Sequence, residues 1–187
     1  MRVIATDIPE VLVIEPEVYV DDRGFFFESY HAERYLKSGI KGAFVQDNHS
    51  RSVKNTVRGL HLQVGRPQAK LVRVLLGEIF DVAVDVRVGS PTFGQWVGVT
   101  LTAASFRQYY IPAGFAHGFS VLSDIAEIEY KCTDFYDPAG QLGLAWNDAS
   151  LGIPWGVGTP ILSDRDRANP TLQEAEARLP RYVPTET

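Results

Sequence analysis

The chain is a succession of short apolar segments, rich in Val, Ile, Phe, Tyr and Trp, separated by turns that contain Gly or Pro. Short runs of β-branched and aromatic residues bounded by turn residues are typical of β-strands. Several runs also alternate apolar and polar residues, which is the two-residue period of a strand with one buried face. Strands are therefore predicted over residues 11–15, 24–30, 43–46, 57–63, 71–76, 78–87, 93–101, 108–111, 118–122, 126–132 and 142–146.

Helical patterns are confined to two places. One helix is predicted over residues 31–37, closed by Gly39, and another over 171–178, where Thr171 and Glu174 have the spacing of a capping box. Short strands at regular intervals, without helices between them, indicate a sandwich or a barrel rather than a parallel βαβ sheet. The predicted fold class is therefore all-β with a few short helices.

The length of the chain fits one compact domain. At 187 residues it can bury a complete core, and no linker, repeat or low-complexity tract divides it. We expect a single domain over residues 1–187, with a core at about 5–168 and a C-terminal helix and tail at 169–187. Residues 180–187 are expected to form a loose tail.

The net charge and the cysteine content limit the kinds of partner that the protein can bind and the cellular compartment in which it is expected. The net charge of −5 argues against a nucleic-acid surface, which normally carries a basic excess. No apolar segment is long enough to cross a membrane, and the N-terminus does not have the pattern of a signal peptide. The single cysteine, Cys132, cannot form an internal disulfide, which favours a reducing compartment. A cytoplasmic protein without a nucleic-acid or membrane partner is expected.

Two segments resemble the paired motifs of the cupin barrel, an all-β jelly roll or double-stranded β-helix. They are residues 58–63 (RGLHLQ) and 111–119 (IPAGFAHGF). Metal-binding cupins use a His-x-His pair, a carboxylate and a further histidine. The corresponding residues here are His61, Gln63, Lys70 and His117. A lysine repels a divalent cation, so no metal is expected, and a histidine among cations points to acid–base chemistry on an anionic substrate.

The basic residues in the centre of the chain have two interpretations, as solvated strand edges or as part of a site. They are Arg51, Lys54, Arg58, Arg66, Lys70 and Arg73. In a regular strand over 57–63, Arg58 would lie on the face opposite His61, since side chains alternate. Gly59 permits a bulge that would re-aim its neighbours. The alternation alone therefore leaves the relation of Arg58 to His61 open.

His61 is the first candidate for catalysis, because the ordinary pKa of histidine, about 6.5, suits proton transfer near neutral pH. The alternative is a buried histidine that is satisfied by the backbone. A carboxylate partner would favour the catalytic interpretation, and Asp166 is a possible one. Tyr130 is a possible general acid, since a phenol can donate a proton while it stays mostly neutral. The alternative for Tyr130 is a tyrosine that fills the core.

Further motifs give a closer resemblance than the cupin segments alone. In chain order they are residues 22–28 (DRGFFFE), 46–50 (QDNHS), 58–63 (RGLHLQ), 70–74 (KLVRV), 77–87 (GEIFDVAVDVR), 90–94 (SPTFG), 111–119 (IPAGFAHGF), 130–136 (YKCTDFY), 146–148 (WND) and 162–166 (LSDRD). In order and spacing they are very similar to the dTDP-4-dehydrorhamnose 3,5-epimerase family, over about residues 5–168.

The resemblance implies roles for individual residues. His61 would be the general base, Asp166 its orienting partner, and Tyr130 the acid that reprotonates carbon from the opposite face. Lys70 would stabilise the enolate at the keto oxygen of the sugar. The implied substrate-binding residues are Arg23, Glu28, Gln46, Asp47, Asn48, Arg58, Lys70, His117, Tyr136, Gln141 and Arg165.

The implied substrate is a dTDP-linked 4-keto-6-deoxy sugar. Its hydrogens at C3 and C5 are both α to the ketone, so each can be removed to give an enolate and replaced on the other face. Neither a metal nor another cofactor is implied. The expected partner is a second copy in a homodimer, with the partner subunit's Arg23 and Glu28 at the site.

Two departures from the family pattern concern ligand contacts. Gln141 stands where a glutamate is common, and Arg165 where a lysine is common; arginine and lysine differ in geometry, although both can bind a phosphate. Tyr136 lies in a region that the family relates to the number of centres inverted. The alternatives are a relative that inverts only C3 or only C5, and a sugar-binding cupin or metallocupin without this activity.

Overall fold

The computed structural model describes residues 1–184 and is built mainly from antiparallel strands. In chain order the strands are β1 (Arg2–Ala5), β2 (Leu12–Glu15), β3 (Val18–Asp21), β4 (Gly24–Phe27), β5 (Gln46–Val53), β6 (Val57–Gln63), β7 (Lys70–Leu76), β8 (Glu78–Asp85), β9 (Trp96–Thr102), β10 (Gln108–Ile111), β11 (Phe115–Val121), β12 (Ile125–Cys132) and β13 (Gln141–Gly143). The helices are α1 (Ala32–Lys37), α2 (Asp164–Arg167) and α3 (Leu172–Ala175), with 3-10 turns at Ala103–Ser105 and Glu176–Arg178.

Two large sheets face each other. One has the order β1-β2-β10-β7-β12-β5 and the other β13-β6-β11-β8-β9, while β3 and β4 form a separate hairpin. Sequential strands such as β7 and β8 lie in different sheets, which is the crossing pattern of a jelly roll. The predicted all-β class is therefore confirmed.

Apolar side chains fill the space between the sheets and also cover both outer faces. Inside lie residues of both sheets, such as Val72, Tyr109, Phe119 and Ile128. The outer face of the five-stranded sheet packs under the C-terminal segment, and α1 covers the outer face of the other. Strands buried on both faces read as nearly continuous apolar runs rather than alternating ones, and β8 is the example nearest the site.

The strand predicted over 43–46 is wrong, because β5 begins at Gln46 and continues to Val53. Every second side chain of β5 is less exposed than its neighbours, so the two-residue period is present. The more buried row is polar, including Gln46, Asn48 and Ser52, since it faces a cavity instead of the apolar core. A search for apolar alternation does not detect such a strand.

Other boundaries differ by a few residues. The strand predicted from 118 begins at Phe115, the one predicted over 142–146 ends at Gly143, and β4 ends at Phe27. The short strands β1 and β3 were not predicted, and neither was α2. The predicted helix over 171–178 is divided into α3 and a 3-10 turn, and Thr171 caps it as expected.

The C-terminal segment is attached to the barrel beyond the predicted start of the loose tail. Val88 and Arg181 form a β-bridge, and the Tyr182 amide donates to the carbonyl of Val88. The expectation of a loose tail is wrong for these residues, and its part at 185–187 lies outside the described residues. No helix within residues 1–184 is long and apolar enough to span a bilayer.

Candidate functional site

A bulge in β6 determines which side chains reach the interior. His61 is paired with His117 on β11, but Arg58 is paired with Phe119, so three steps on β6 match two on β11. Gly59 has a φ of +112°, and a Cβ there would lie 2.6 Å from both the Gly118 Cα and the His117 carbonyl oxygen. The bulge therefore brings Arg58 to the same cavity as His61, which the sequence left open.

His61 is held by a carboxylate from the far end of the chain. Its Nε2 lies 2.6 Å from Asp166 Oδ1, and the side chains are 28% and 5% exposed. Ser163 caps α2 by accepting from the Asp166 amide at 3.1 Å, which fixes the aspartate on its short helix. Burial opposes ionisation, but the hydrogen bonds from His61, Ser163 and the Gly59 backbone lower the pKa of Asp166 below its usual value.

The opposing sheet contributes a cation and a phenol. Lys70, on β7, has a pKa lowered by burial, which the nearby Cys132 and Asp81 partly oppose. Tyr130, on β12, has a pKa raised by burial and by Cys132, with a smaller opposing effect from Arg58. Tyr130 is therefore a neutral phenol at physiological pH, in the form that can donate a proton.

A second histidine–aspartate pair lies beside the first. His117 Nε2 is 2.7 Å from Asp81 Oδ1, and both residues are buried. Burial lowers the pKa of His117, and the nearby Lys70 and His61 add to this, although Asp81 opposes it. Asp81 was not predicted from the sequence, although a carboxylate inside the apolar run of β8 was an available signal.

These side chains surround one cavity of about 870 Å³. A smaller space of about 290 Å³ adjoins it, and five residues line both. Predicted residues that line the larger space are Arg58, His61, Lys70, His117, Tyr130, Tyr136, Gln141, Arg165 and Asp166. Gln46 and Asn48 line the smaller space. Residues far apart in sequence therefore meet at one site.

Polar side chains at the mouth are linked to one another. The Tyr136 hydroxyl donates to Gln141 Oε1 at 2.6 Å, and Arg165 donates to the same oxygen at 2.8 Å. Gln46 accepts from the Tyr136 amide at 2.9 Å and donates to Asn48 Oδ1 at 3.0 Å. The two chains of contacts place amide, phenol and guanidinium groups along one rim.

Three predicted residues do not reach this cavity within their own chain. The Arg23 side chain is 90% exposed and pairs with Asp21, and Glu28 pairs with Arg34. Asp47 lies on the outer face of β5, where it accepts from Lys131 at 2.8 Å. Arg23 and Glu28 could therefore reach a cavity only in a second copy of the chain, as the predicted homodimer requires.

The donor set differs from that of a metal centre. Within the described part of the chain, no three His, Cys, Asp or Glu side chains are grouped as a metal site would require. The Nε2 atoms of His61 and His117 each have a carboxylate partner, and the side chains between the sheets at this point include the cation of Lys70.

The model of the family described as dTDP-4-dehydrorhamnose 3,5-epimerase matches residues 5–174. The chain belongs to this family. The enzyme of that name from Salmonella typhimurium is 54% identical over 178 residues, covering 94% of this chain and 97% of its own. The epimerase family is cupin-like in fold, and the predicted cupin barrel is confirmed.

A solved structure agrees in fold over almost the whole chain. The dTDP-6-deoxy-D-glucose-3,5-epimerase from Legionella pneumophila, in complex with dTDP-4-keto-L-rhamnose, superposes with a TM-score of 0.95. It is 52% identical, and the match covers 98% of this chain and 99% of that one. A dTDP-4-dehydrorhamnose 3-epimerase from Streptomyces niveus is 42% identical over 187 residues, covering 99% of this chain and 89% of its own. The epimerase family thus includes relatives named for inversion at one centre.

Proposed function

We propose that the protein is a dTDP-4-dehydrorhamnose 3,5-epimerase. It converts dTDP-4-dehydro-6-deoxy-D-glucose to dTDP-4-dehydro-L-rhamnose by inverting C3 and C5, in the formation of dTDP-L-rhamnose. The Salmonella and Legionella relatives are named as 3,5-epimerases, and the Legionella enzyme was crystallised with dTDP-4-keto-L-rhamnose. We further propose that the reaction needs no metal or other cofactor.

One observation carries the proposal: the candidate base and the candidate acid come from opposite walls. His61, with Asp166 at 2.6 Å, belongs to the five-stranded sheet, and Tyr130 and Lys70 belong to the six-stranded sheet. All four line the same cavity. A sugar ring held between the walls would lose a proton to one face and receive one on the other, which inverts the carbon.

The proton movements balance without an external reagent. The His61 imidazole takes the proton from the carbon next to the ketone, and the bonding electrons move to the C4 oxygen as an enolate. The Lys70 ammonium stabilises the negative charge on that oxygen. The Tyr130 hydroxyl then gives its proton to the opposite face of the carbon, and the ketone re-forms. Transfer of a proton back to Tyr130 and away from His61, through solvent, restores both groups.

Asp166 makes His61 a better base by accepting from its Nε2. A carboxylate in this position orients the ring and stabilises the imidazolium that forms when the proton is taken. Asp166 can do so because its lowered pKa keeps it ionised. The other nitrogen, Nδ1, is then the one available to the substrate.

The polar rim is the proposed site of the nucleotide. Tyr136, Gln141 and Arg165 offer an aromatic ring, an amide and a guanidinium to the base and the diphosphate. Gln46 and Asn48 extend this surface into the smaller space, and Arg58 and His117 line the sugar end. Asp47 faces away, so its assignment as a ligand contact stays a prediction.

A homodimer is proposed to complete the site. The hairpin of β3 and β4 exposes four large apolar side chains, Tyr19, Val20, Phe25 and Phe26. The exposed Arg23 lies at the turn of this hairpin, and Glu28 follows it. Burying these side chains against a second copy would remove a large apolar patch from water and would carry the partner's Arg23 and Glu28 to the cavity.

Mixed dimers test the shared site. Arg23→Ala and His61→Asn subunits, each inactive alone, form one intact site per mixed dimer if Arg23 acts across the interface. Random mixing should therefore restore about a quarter of the wild-type rate per subunit. No recovery in dimers verified by light scattering would contradict the partner's role.

We also place the enzyme in the cytoplasm, on the ground that its single cysteine is buried and unpaired. The activity itself is tested by proton NMR of dTDP-4-dehydro-6-deoxy-D-glucose in D₂O, with EDTA present. Loss of the signals at both C3 and C5 is expected. Loss at one carbon would assign the protein to the single-centre relatives, and no exchange would refute the proposal.

A further inference from the structure

Asp81 is a buried carboxylate behind the cavity wall. It lies on β8 between Ile79 and Ala83, which belong to the apolar core, and it is fully shielded from solvent. One oxygen, Oδ1, accepts from His117 Nε2 at 2.7 Å. The other, Oδ2, is the one buried side-chain polar atom in residues 1–184 without a hydrogen-bond partner. A buried carboxylate left half satisfied is costly unless its charge is used.

The contact with Asp81 determines which face of His117 meets the cavity. With Nε2 directed to Asp81, Nδ1 is the remaining ring nitrogen, and it is not among the buried unpartnered atoms of the described chain. It therefore opens towards the cavity that His117 lines. Since burial lowers the pKa of His117, the ring is neutral, with its proton on Nε2 and a lone pair on Nδ1.

Asp81 also contributes its charge to Lys70. Burial lowers the pKa of Lys70, and the Asp81 carboxylate is one of two groups that oppose this. Lys70 and His117 line the same cavity, and Asp81 lies behind His117, 2.7 Å from its Nε2, so the Asp81 charge acts on Lys70 through space. The titratable and charged groups around this cluster are Lys70 on β7, Arg58 and His61 on β6, Asp81 on β8, Tyr109 on β10, His117 on β11, and Tyr130 and Cys132 on β12.

We propose that Asp81 is a positioning residue that holds His117 with Nδ1 towards the substrate and supplies the negative charge that keeps Lys70 an ammonium ion. The proposal rests on the proposed function, because it concerns the cation that stabilises the enolate. In this arrangement His117 accepts a hydrogen bond from a sugar hydroxyl. Asp81 itself touches neither the substrate nor the reacting atoms.

Asp81→Asn keeps the shape of the side chain and removes its charge. Because Lys70 then loses a group that favours its charged form, its pKa falls further. The alkaline limb of the pH profile of kcat/KM should therefore move to lower pH by about one unit, the size expected for one buried charge in the same cluster. Binding of dTDP, measured by calorimetry, should change less than threefold.

The matched control is Asp85→Asn. Asp85 is also fully buried on β8, but it pairs with Arg87, Ser90 and Thr92 instead of facing the cavity. This variant should lower the melting temperature and leave the pH profile unchanged. Asp81→Asn could instead lower the rate or the stability and leave the alkaline limb of the pH profile unmoved. It would then resemble the expected result for Asp85→Asn, Asp81 would be only structural, and the proposal would fall.

Nitrogen-15 NMR of the wild-type protein tests the His117 orientation without any variant or turnover. The proposal requires His117 to be protonated on Nε2 and not on Nδ1 between pH 6 and 9. An Nδ1–H tautomer, or a titrating ring, would overturn it even if Asp81→Asn does not fold. Because this readout needs no substrate, it separates a failure of the inference from a failure of the proposed epimerase activity.

Discussion

The two walls of the cavity are stabilised in different ways. On the five-stranded sheet, His61 and His117 each contact a carboxylate, at 2.6 and 2.7 Å. On the six-stranded sheet, the pKa shifts of Lys70 and Tyr130 come from burial and through-space charge, and within residues 1–184 no side-chain hydrogen bond contributes to them. One wall is thus oriented before substrate binds, whereas the groups of the other remain free to contact the substrate. The proposed base is therefore fixed in orientation, and the proposed cation and acid keep their hydrogen-bonding capacity for the substrate.

Removing the base tests the oriented wall most severely. His61→Asn should lower kcat by about 10²–10⁴-fold, the usual contribution of a general base, and leave dTDP affinity largely intact. Steady-state rates and calorimetry with dTDP measure the two effects. The matched variant His117→Asn, on the same wall, should lose much less kcat because His117 is not the proposed base. A His61→Asn variant that keeps more than about a tenth of the wild-type rate would make the assignment wrong.

Lys70→Met addresses the opposite wall. It removes the charge and keeps the length of the side chain, so kcat should fall by about 10²–10³-fold, as when one oxyanion donor is lost. Substrate binding should weaken as well, because an anionic ligand loses a cation. A control is Lys131→Met, whose ammonium pairs with Asp47 outside the cavity. Equal effects of the two substitutions would remove the special role of Lys70.

Tyr130→Phe should have a smaller effect than either. His61 can still remove a proton, and water in the cavity can replace the phenol as a poorer acid, so a loss of about 10–10²-fold is expected. Deuterium exchange should then exceed net inversion at one or both carbons. If exchange and inversion decline in equal proportion, Tyr130 is not the acid that acts on the second face.

The smallest expected effect concerns acid stability. The folded-state pKa of Asp166 is lowered, so the ionised group stabilises the fold above its unfolded pKa of about 3.9. That stability is lost as the pH falls through the lower, folded value. In urea titrations, wild type and Asp166→Asn should differ at pH 6 and converge towards pH 3. A difference independent of pH would show that the carboxylate's charge contributes nothing.

The sequence predicted most of what local patterns determine. The bounds of β6 and β10 agree with the prediction, because β6 alternates apolar and polar residues over Leu60–Gln63, β10 is largely aromatic, and each ends near a turn. By contrast, β5 was misplaced because its inner row is polar, and the four-residue α2 is too short to show a helical period. The local pattern of apolar residues does not predict an element whose inner side chains line the cavity instead of packing in the core.

The site was identified mainly through family resemblance, and its assembly depends on long-range geometry. Asp166 meets His61 across 105 positions of sequence, and no local rule relates them. Arg58 lies at the same cavity as His61 only because of the bulge at Gly59. The sequence indicated that a bulge was possible there, but it did not determine whether one forms. Asp81 was missed because its place in an apolar run does not show that β8 pairs with the strand of His117.

The late position of Asp166 has a consequence for the order in which the enzyme is made. The thirteen strands found within residues 1–184 all precede residue 144, so a ribosome has synthesised these strands before it reaches the codon for the aspartate. A nascent chain that has released only the barrel holds His61, Lys70 and Tyr130 without the carboxylate that is proposed to activate the base. Catalytic competence is therefore expected only after all the strands of the barrel have been made, when α2 docks.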